Sequence, residues 1–191
     1  MQLPDRDQLF EEYFAPWYSS LDRARRMHGA VREDVESLGV GAPPESALTE
    51  KMRADAAQRI SLMVDAAGQD WKKLLKISGE PSMAWLTSFD AYFGSKEILD
   101  VVMNSSTEAF NNDYLVLCCE LGSVIGTVMQ GLEPRLTWIY DSPYWESALY
   151  DAQTGLRLNV FFWAIKRMSA HGPDDGVADK VRRHCESIQK R

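Results

Sequence analysis

Residues 114–132 read YLVLCCELGSVIGTVMQGL, nineteen positions in which Glu120 is the single charge. A run this apolar is either a membrane span or the central helix of a folded core, and the fold turns on which it is. A span needs about 20 apolar residues, and a charged side chain near its middle costs about 2.5 to 3.5 kcal/mol on insertion scales. Ser123, Thr127 and Gln130 add to that cost, and no basic cluster closely flanks either end. The run is therefore read as a buried helix over about residues 107–130, closed by Gly131 and Pro134, in a soluble protein with no membrane partner.

Beyond that helix the hydrophobic period changes. Residues 135–140, RLTWIY, are rich in β-branched and aromatic side chains and are bounded by Pro134 and Asp141-Ser142-Pro143, which predicts a strand. A second strand is expected over 144–150. Ala152-Gln153-Thr154-Gly155 reads as a hairpin turn, Gly155 supplying a positive φ, and 156–158 as a short returning strand. Asn159 is placed to cap a helix over 160–169, Gly172-Pro173 breaks it, and a last helix over 174–189 opens on Asp174 and Asp175, at the positive end of its dipole.

Upstream the pattern is helical throughout. Leu9, Phe10, Tyr13, Phe14, Trp17 and Leu21 recur at three- and four-residue steps within residues 5–38, with Pro16 predicting a kink or two abutting helices. A second helix is expected to start near Ser46 and run to about Ala67, with Lys51, Arg53, Asp55 and Arg59 on its polar side. Gly68 interrupts that pattern, and Trp71, Leu74, Leu75 and Ile77 extend the same helix or form a short one. A further helix ends at Phe93 with Gly94 as a left-handed cap, and Ser95 is expected to cap the short helix that follows.

Composition bounds the partners. The 28 acidic and 21 basic residues leave a formal charge of −7, which repels nucleic-acid phosphates and favours a basic partner. Cys118, Cys119 and Cys185 cannot all pair within one chain, so reduced thiols in a cytosol are the simplest account. The amino terminus has acids where a secretory signal carries bases and a long apolar run.

The stretch 122–168 resembles the carboxy-terminal part of some uncharacterised bacterial proteins. In that group a glycine-bearing helix is followed by a Trp-bearing strand, a hairpin and an Asn-Val/Pro-Phe helix start. The matching positions are Gly122, Gly126, Trp138 and Asn159-Val160-Phe161, in about a quarter of the chain. The resemblance implies a small α+β arrangement and carries no catalytic residues, and the amino-terminal 80 residues lie outside it.

No motif brings catalytic chemistry with it. Gly122 and Gly126 lie four apart inside an apolar helix, where they serve close packing rather than a phosphate loop. His28, His171 and His184 are scattered, with no HExxH or CxxC spacing, so neither a metal nor a cofactor is expected. Cys118 and Cys119 in an apolar run would have their pKa raised by burial. The hairpin is the most suggestive surface, because Asp141, Glu146 and Asp151 are interleaved with Tyr144, Trp145 and Tyr150. Strand alternation puts Trp145 and Tyr150 on opposite faces, so one of them is expected to be an exposed anchor with the acids as its rim.

The expectation is one α+β domain over 1–191, mainly helical, with about three strands of antiparallel sheet near the carboxy terminus. Residues 1–79 form a helical part, and 80–191 hold the central helix, hairpin and last helices. The expected function is that of a non-enzymatic cytoplasmic protein that binds a basic protein, as a bacterial immunity protein binds its toxin. Two alternatives stand beside it: an enzyme site assembled from Asp113, Cys119, Glu120 and His184, and a subunit that self-associates through its amino-terminal aromatic stripe.

Overall fold

Asn112 starts the helix around which the rest is arranged. Its side-chain oxygen accepts from the Leu115 N–H at 2.9 Å, an N-cap that fixes the beginning of a twenty-residue helix at Asp113–Leu132. In the computed structural model, which describes residues 2–20, 22, 34–42, 48–77, 79–172 and 175–190, the elements occur in a fixed order. They are α1 (Arg6–Tyr13), β1 (Val35–Ser37), α2 (Glu50–Leu75), α3 (Met83–Tyr92), α4 (Ser95–Asn104) and α5 (Asp113–Leu132). After these come β2 (Leu136–Ile139), β3 (Ala148–Asp151), β4 (Leu156–Leu158), α6 (Val160–Arg167) and α7 (Val177–Gln189). Short 3₁₀ turns lie at Ala15–Trp17 and Tyr144–Glu146.

The protein is α+β and mainly helical, with an antiparallel sheet of four strands ordered β1-β4-β3-β2. α5 packs along α2 and α6, and also meets α4, α7 and β2. It is the one helix among the described residues long and apolar enough to cross a membrane, and most of it is buried inside the fold. Side chains from both the first 79 residues and the remainder, from Leu9 to Ile188, share one hydrophobic cluster.

Two glycines let α5 approach its neighbours. A Cβ at Gly122 would stand 2.5 Å from Phe161 Cδ1 and 3.0 Å from its Cα, and one at Gly126 would stand 2.3 Å from Trp138 Cζ2. The glycine pair therefore serves packing against α6 and β2. At the hairpin, Gly155 has φ of 70°, as the turn requires, and the Asp151 carboxylate accepts from the Gln153 N–H and the Thr154 hydroxyl.

Several expectations need correction. The fourth strand, Val35–Ser37, lies where a helix was expected over 5–38, because its three residues gain their hydrogen bonds from β4, far along the chain. Around Pro16 the helix does give way, α1 ending at Tyr13 and a 3₁₀ turn following. The strand expected over 144–150 is shorter, since residues 144–146 form a 3₁₀ turn that resets the alternation before β3.

α2 runs unbroken through Gly68, starts on a Thr49 cap and ends at Lys76 in the left-handed region. Ser46 and Asp174 lie outside the described residues. Gly94 has φ of −99° and is the N-cap of α4, so Ser95 is the first helical residue rather than the cap. Asn159 makes no side-chain bond to the start of α6, donating instead to Glu36 Oε1 at 3.4 Å. α7 starts at Val177, where the Asp90 carboxylate accepts from the Val177 and Ala178 N–H groups at 3.1 and 2.8 Å. The acid at this helix start thus comes from α3.

Candidate binding cleft

The aromatic side chains of the hairpin segment do not form an exposed face. Trp145 is 2% exposed and Tyr150 is 1% exposed, so neither is the surface anchor that strand alternation suggested. β3 is buried on both sides. α6 covers it, and the Tyr150 hydroxyl donates toward the carbonyls of Gly39 and Gly41, at 2.7 and 3.2 Å, tying down the loop that follows β1.

The acids are employed internally as well. Asp151 closes the hairpin turn, and the buried Glu146 carboxylate accepts from the Tyr18 hydroxyl, which itself accepts from the Trp145 indole N–H at 3.3 Å. Neither Glu146 nor Asp151 is placed to form a solvent-facing rim. Asp141 and Tyr144 remain nearer the surface, Asp141 half-buried and Tyr144 7% exposed.

Those two residues, with the edge of Trp145, line a cleft of about 240 Å³ between the 141–145 segment and the first turns of α2. Trp17 and Phe110 complete its aromatic wall, and Asp55 and Arg59 stand on the α2 side. The rings brace one another: Trp17 and Phe110 meet edge to face at 5.4 Å, Phe110 and Trp145 lie at 6.2 Å, and Tyr144 and Trp145 at 5.2 Å. Phe110, in the link between α4 and α5, is 46% exposed. The Trp17 indole N–H is buried without a hydrogen-bond partner among the described residues.

The charges of the cleft are set by one helix and one loop. Asp55 and Arg59 lie four residues apart on the exposed face of α2, yet neither makes an ion pair or side-chain hydrogen bond among the described residues. The Arg59 guanidinium instead sits 6.0 Å from the Tyr144 ring centroid. Burial pushes the Tyr144 hydroxyl up, the neighbouring Cys119 adds to this, and Arg59 opposes it. Tyr144 is therefore a neutral wall of the cleft at physiological pH.

The other titratable groups are dispersed. Burial pushes the Cys118 thiol well up, Cys119 to about 12 and Cys185 to about 11, which keeps all three as thiols. The His184 ring lies tilted against Trp163 at 4.9 Å, and its pKa is lowered by burial and then by Lys180 and Arg183. Cys119 faces Tyr144 and Glu120, while His184 faces Lys180, Arg183 and Asp34. Among the described residues no three His, Cys, Asp or Glu side chains are grouped closely enough to hold a metal ion. Near α7, Lys166 and Lys180 are balanced by Asp34 and Asp175 at 3.0 to 4.0 Å, a network that ties α6, α7 and the residue before β1 together.

Trp17, Asp55, Arg59 and Phe110 are the cleft residues that the hairpin reading missed. Trp17 belongs to the amino-terminal stripe, and Asp55 and Arg59 to the polar side of a helix, so only folding joins them to Asp141 and Tyr144. The one local signal is Phe110, a lone aromatic in the polar run TEAFNND. Comparison with known proteins found no matching family model, no matching curated protein and no matching solved structure.

Proposed function

We propose that this chain is a non-enzymatic binding protein for a basic protein partner, acting in the cytoplasm in the manner of a bacterial immunity protein that neutralises a toxin. The observation that carries this reading is the cleft, where four aromatic rings and the carboxylates of Asp55 and Asp141 meet on a chain of net charge −7. Aromatic side chains held rigid by their neighbours anchor interfaces at little entropic cost, and surplus negative charge steers a basic protein toward them. The raised thiol pKa values support binding over cysteine catalysis.

The experiment is neutralisation. The chain is produced together with the basic secreted protein encoded beside its gene, and the partner's activity is measured against the molar ratio of the two. The reading expects activity to vanish near equimolar ratio, with an association rate that falls as salt rises. Full partner activity in the presence of a molar excess of this chain overturns it.

A further inference from the structure

We infer that the cleft between the 141–145 segment and α2 seats one arginine side chain of the partner, and that Arg59 occupies part of that seat in the free protein. The inference rests on the binding reading above and names the group recognised. At about 240 Å³ the cleft lies below the usual range of small-molecule pockets, roughly 300 to 1,000 Å³, and suits one long side chain. Its walls are rings and its charged edge is acidic, which selects a cation with an apolar stem.

The resident guanidinium decides between the two basic side chains. Arg59 sits over Tyr144 at 6.0 Å without an ion pair among the described residues, so a planar guanidinium already finds a ring to rest on here. A guanidinium can stack on a ring while it forks to a carboxylate, whereas an ammonium acts as a point charge. Asp55 is exposed and unpaired among the described residues, one helical turn from Arg59, and is the carboxylate free to meet an incoming fork.

This arrangement makes an unusual demand on sign. Loss of Asp55 removes the charge partner and weakens binding. Loss of Arg59 removes both a competitor for Tyr144 and a like charge, and so strengthens it. A cleft that merely packs loops together predicts neither effect.

The probe is the peptide acetyl-Gly-Arg-Gly-amide, with its citrulline counterpart, which keeps the shape and loses the charge. Binding is read from the indole N–H resonances of Trp17 and Trp145 in the full chain. The arginine peptide is expected to give saturable shifts at Trp17, and the citrulline peptide at least tenfold weaker ones. Asp55→Asn should weaken the arginine peptide at least threefold and Arg59→Gln should tighten it at least threefold, with circular dichroism unchanged for both surface variants. Equal response to the two peptides, no saturable shift, or weaker binding in Arg59→Gln overturns the inference. The peptide reads the cleft alone, so its failure with a neutralised partner removes this inference and leaves the binding reading standing. Peptide binding without neutralisation removes the binding reading instead.

Discussion

Two acids, one half-buried and one wholly buried, show how differently one fold treats the same chemical group. Asp90, on α3, accepts from Arg167 Nε at 3.1 Å and from the first two N–H groups of α7, while Arg167 reaches on to the Phe93 carbonyl at 2.6 Å. Three helices are thus clamped through one carboxylate. Glu120, on α5, is wholly buried, and neither of its oxygens has a hydrogen-bond partner among the described residues. The Ser123 hydroxyl, also buried, is without a partner as well. Burial and then the nearby Asp70 push Glu120 from an ordinary 4.5 to about 8, with Trp71 and Lys73 opposing, so it is a neutral acid at pH 7. One acid is held by partners on two other helices, while burial leaves the other protonated.

The largest effect should come from removing the clamp. Arg167 is buried, with its guanidinium over the Phe89 ring at 5.1 Å, so Asp90→Ala strands a desolvated cation and uncaps α7. Leaving a buried charge without its partner costs about 3 to 5 kcal/mol, and urea unfolding at pH 7 should read that loss. Less than about 1 kcal/mol would mean that Asp90 and Arg167 are not coupled in this way. The double variant Asp90→Ala/Arg167→Met should recover part of the loss, since no charge is then left buried.

Glu120 should make stability depend on pH. Its folded-state pKa is raised, so the unfolded chain releases its proton first as pH rises. Stability is therefore greatest below pH 4.5, falls through the window from 4.5 to about 8, and is flat above it. The slope is about 1.4 kcal/mol per pH unit, or about 3 kcal/mol between pH 5 and 7. Glu120→Gln should remove that slope, nearly matching the parent at pH 4 and exceeding it at pH 8. Asp70 and Lys73 ion-pair with each other at 3.1 Å beside Glu120 and are present in both proteins, so the comparison reads Glu120. An unchanged slope in Glu120→Gln would break the contrast with Asp90.

How much of this was legible depends on whether the cause is local. Glu120 stands out in the sequence as the one charge in residues 114–132, and the same residue that argues against a span is the one found neutral in the core. The glycine pair, the hairpin turn and the α+β class were readable because each follows from spacing over a few residues. Asp90 was not. It caps a helix 87 residues away, and no periodicity marks a carboxylate for that task. The strand Val35–Ser37 failed for the same reason, since its identity comes from β4. The candidate site was half legible: Asp141 and Tyr144 do border a cleft, but a 3₁₀ turn at 144–146 ends the alternation that was to expose Trp145 or Tyr150.

The glycines of α5 set how closely its neighbours approach it. Gly122 lies against Phe161, whose backbone cannot yield, so the helix is fixed close to α6. Gly122→Ala should cost about 2 kcal/mol by overpacking, even though alanine favours the helix by about 1. Gly68, in open space within α2, supplies the control, and Gly68→Ala should stabilise by up to about 1 kcal/mol. Thermal unfolding of the pair tests this, and similar signs would show that close approach does not hold α5 in place.

The smallest effect isolates the bond that separates Asp90 from Glu120, a carboxylate accepting from backbone N–H groups at a helix start. Glu97 makes that bond within its own helix, its Oε2 accepting from the Gly94 N–H at 3.0 Å. Ser95 is the residue whose type suggests a cap, yet it is already helical and Gly94 holds the cap position. Ser82, by contrast, does accept from the Trp85 N–H at 3.2 Å at the start of α3. Ser82→Ala should therefore cost about 1 kcal/mol and Glu97→Ala about 0.5 to 1, while Ser95→Ala stays within about 0.5 of the parent or gains slightly from helix propensity. Chemical denaturation of the three variants reads the order. A loss at Ser95 equal to that at Ser82 would move the cap back to the serine, and would mean that a carboxylate-to-amide bond does not organise the start of α4 as it does the start of α7.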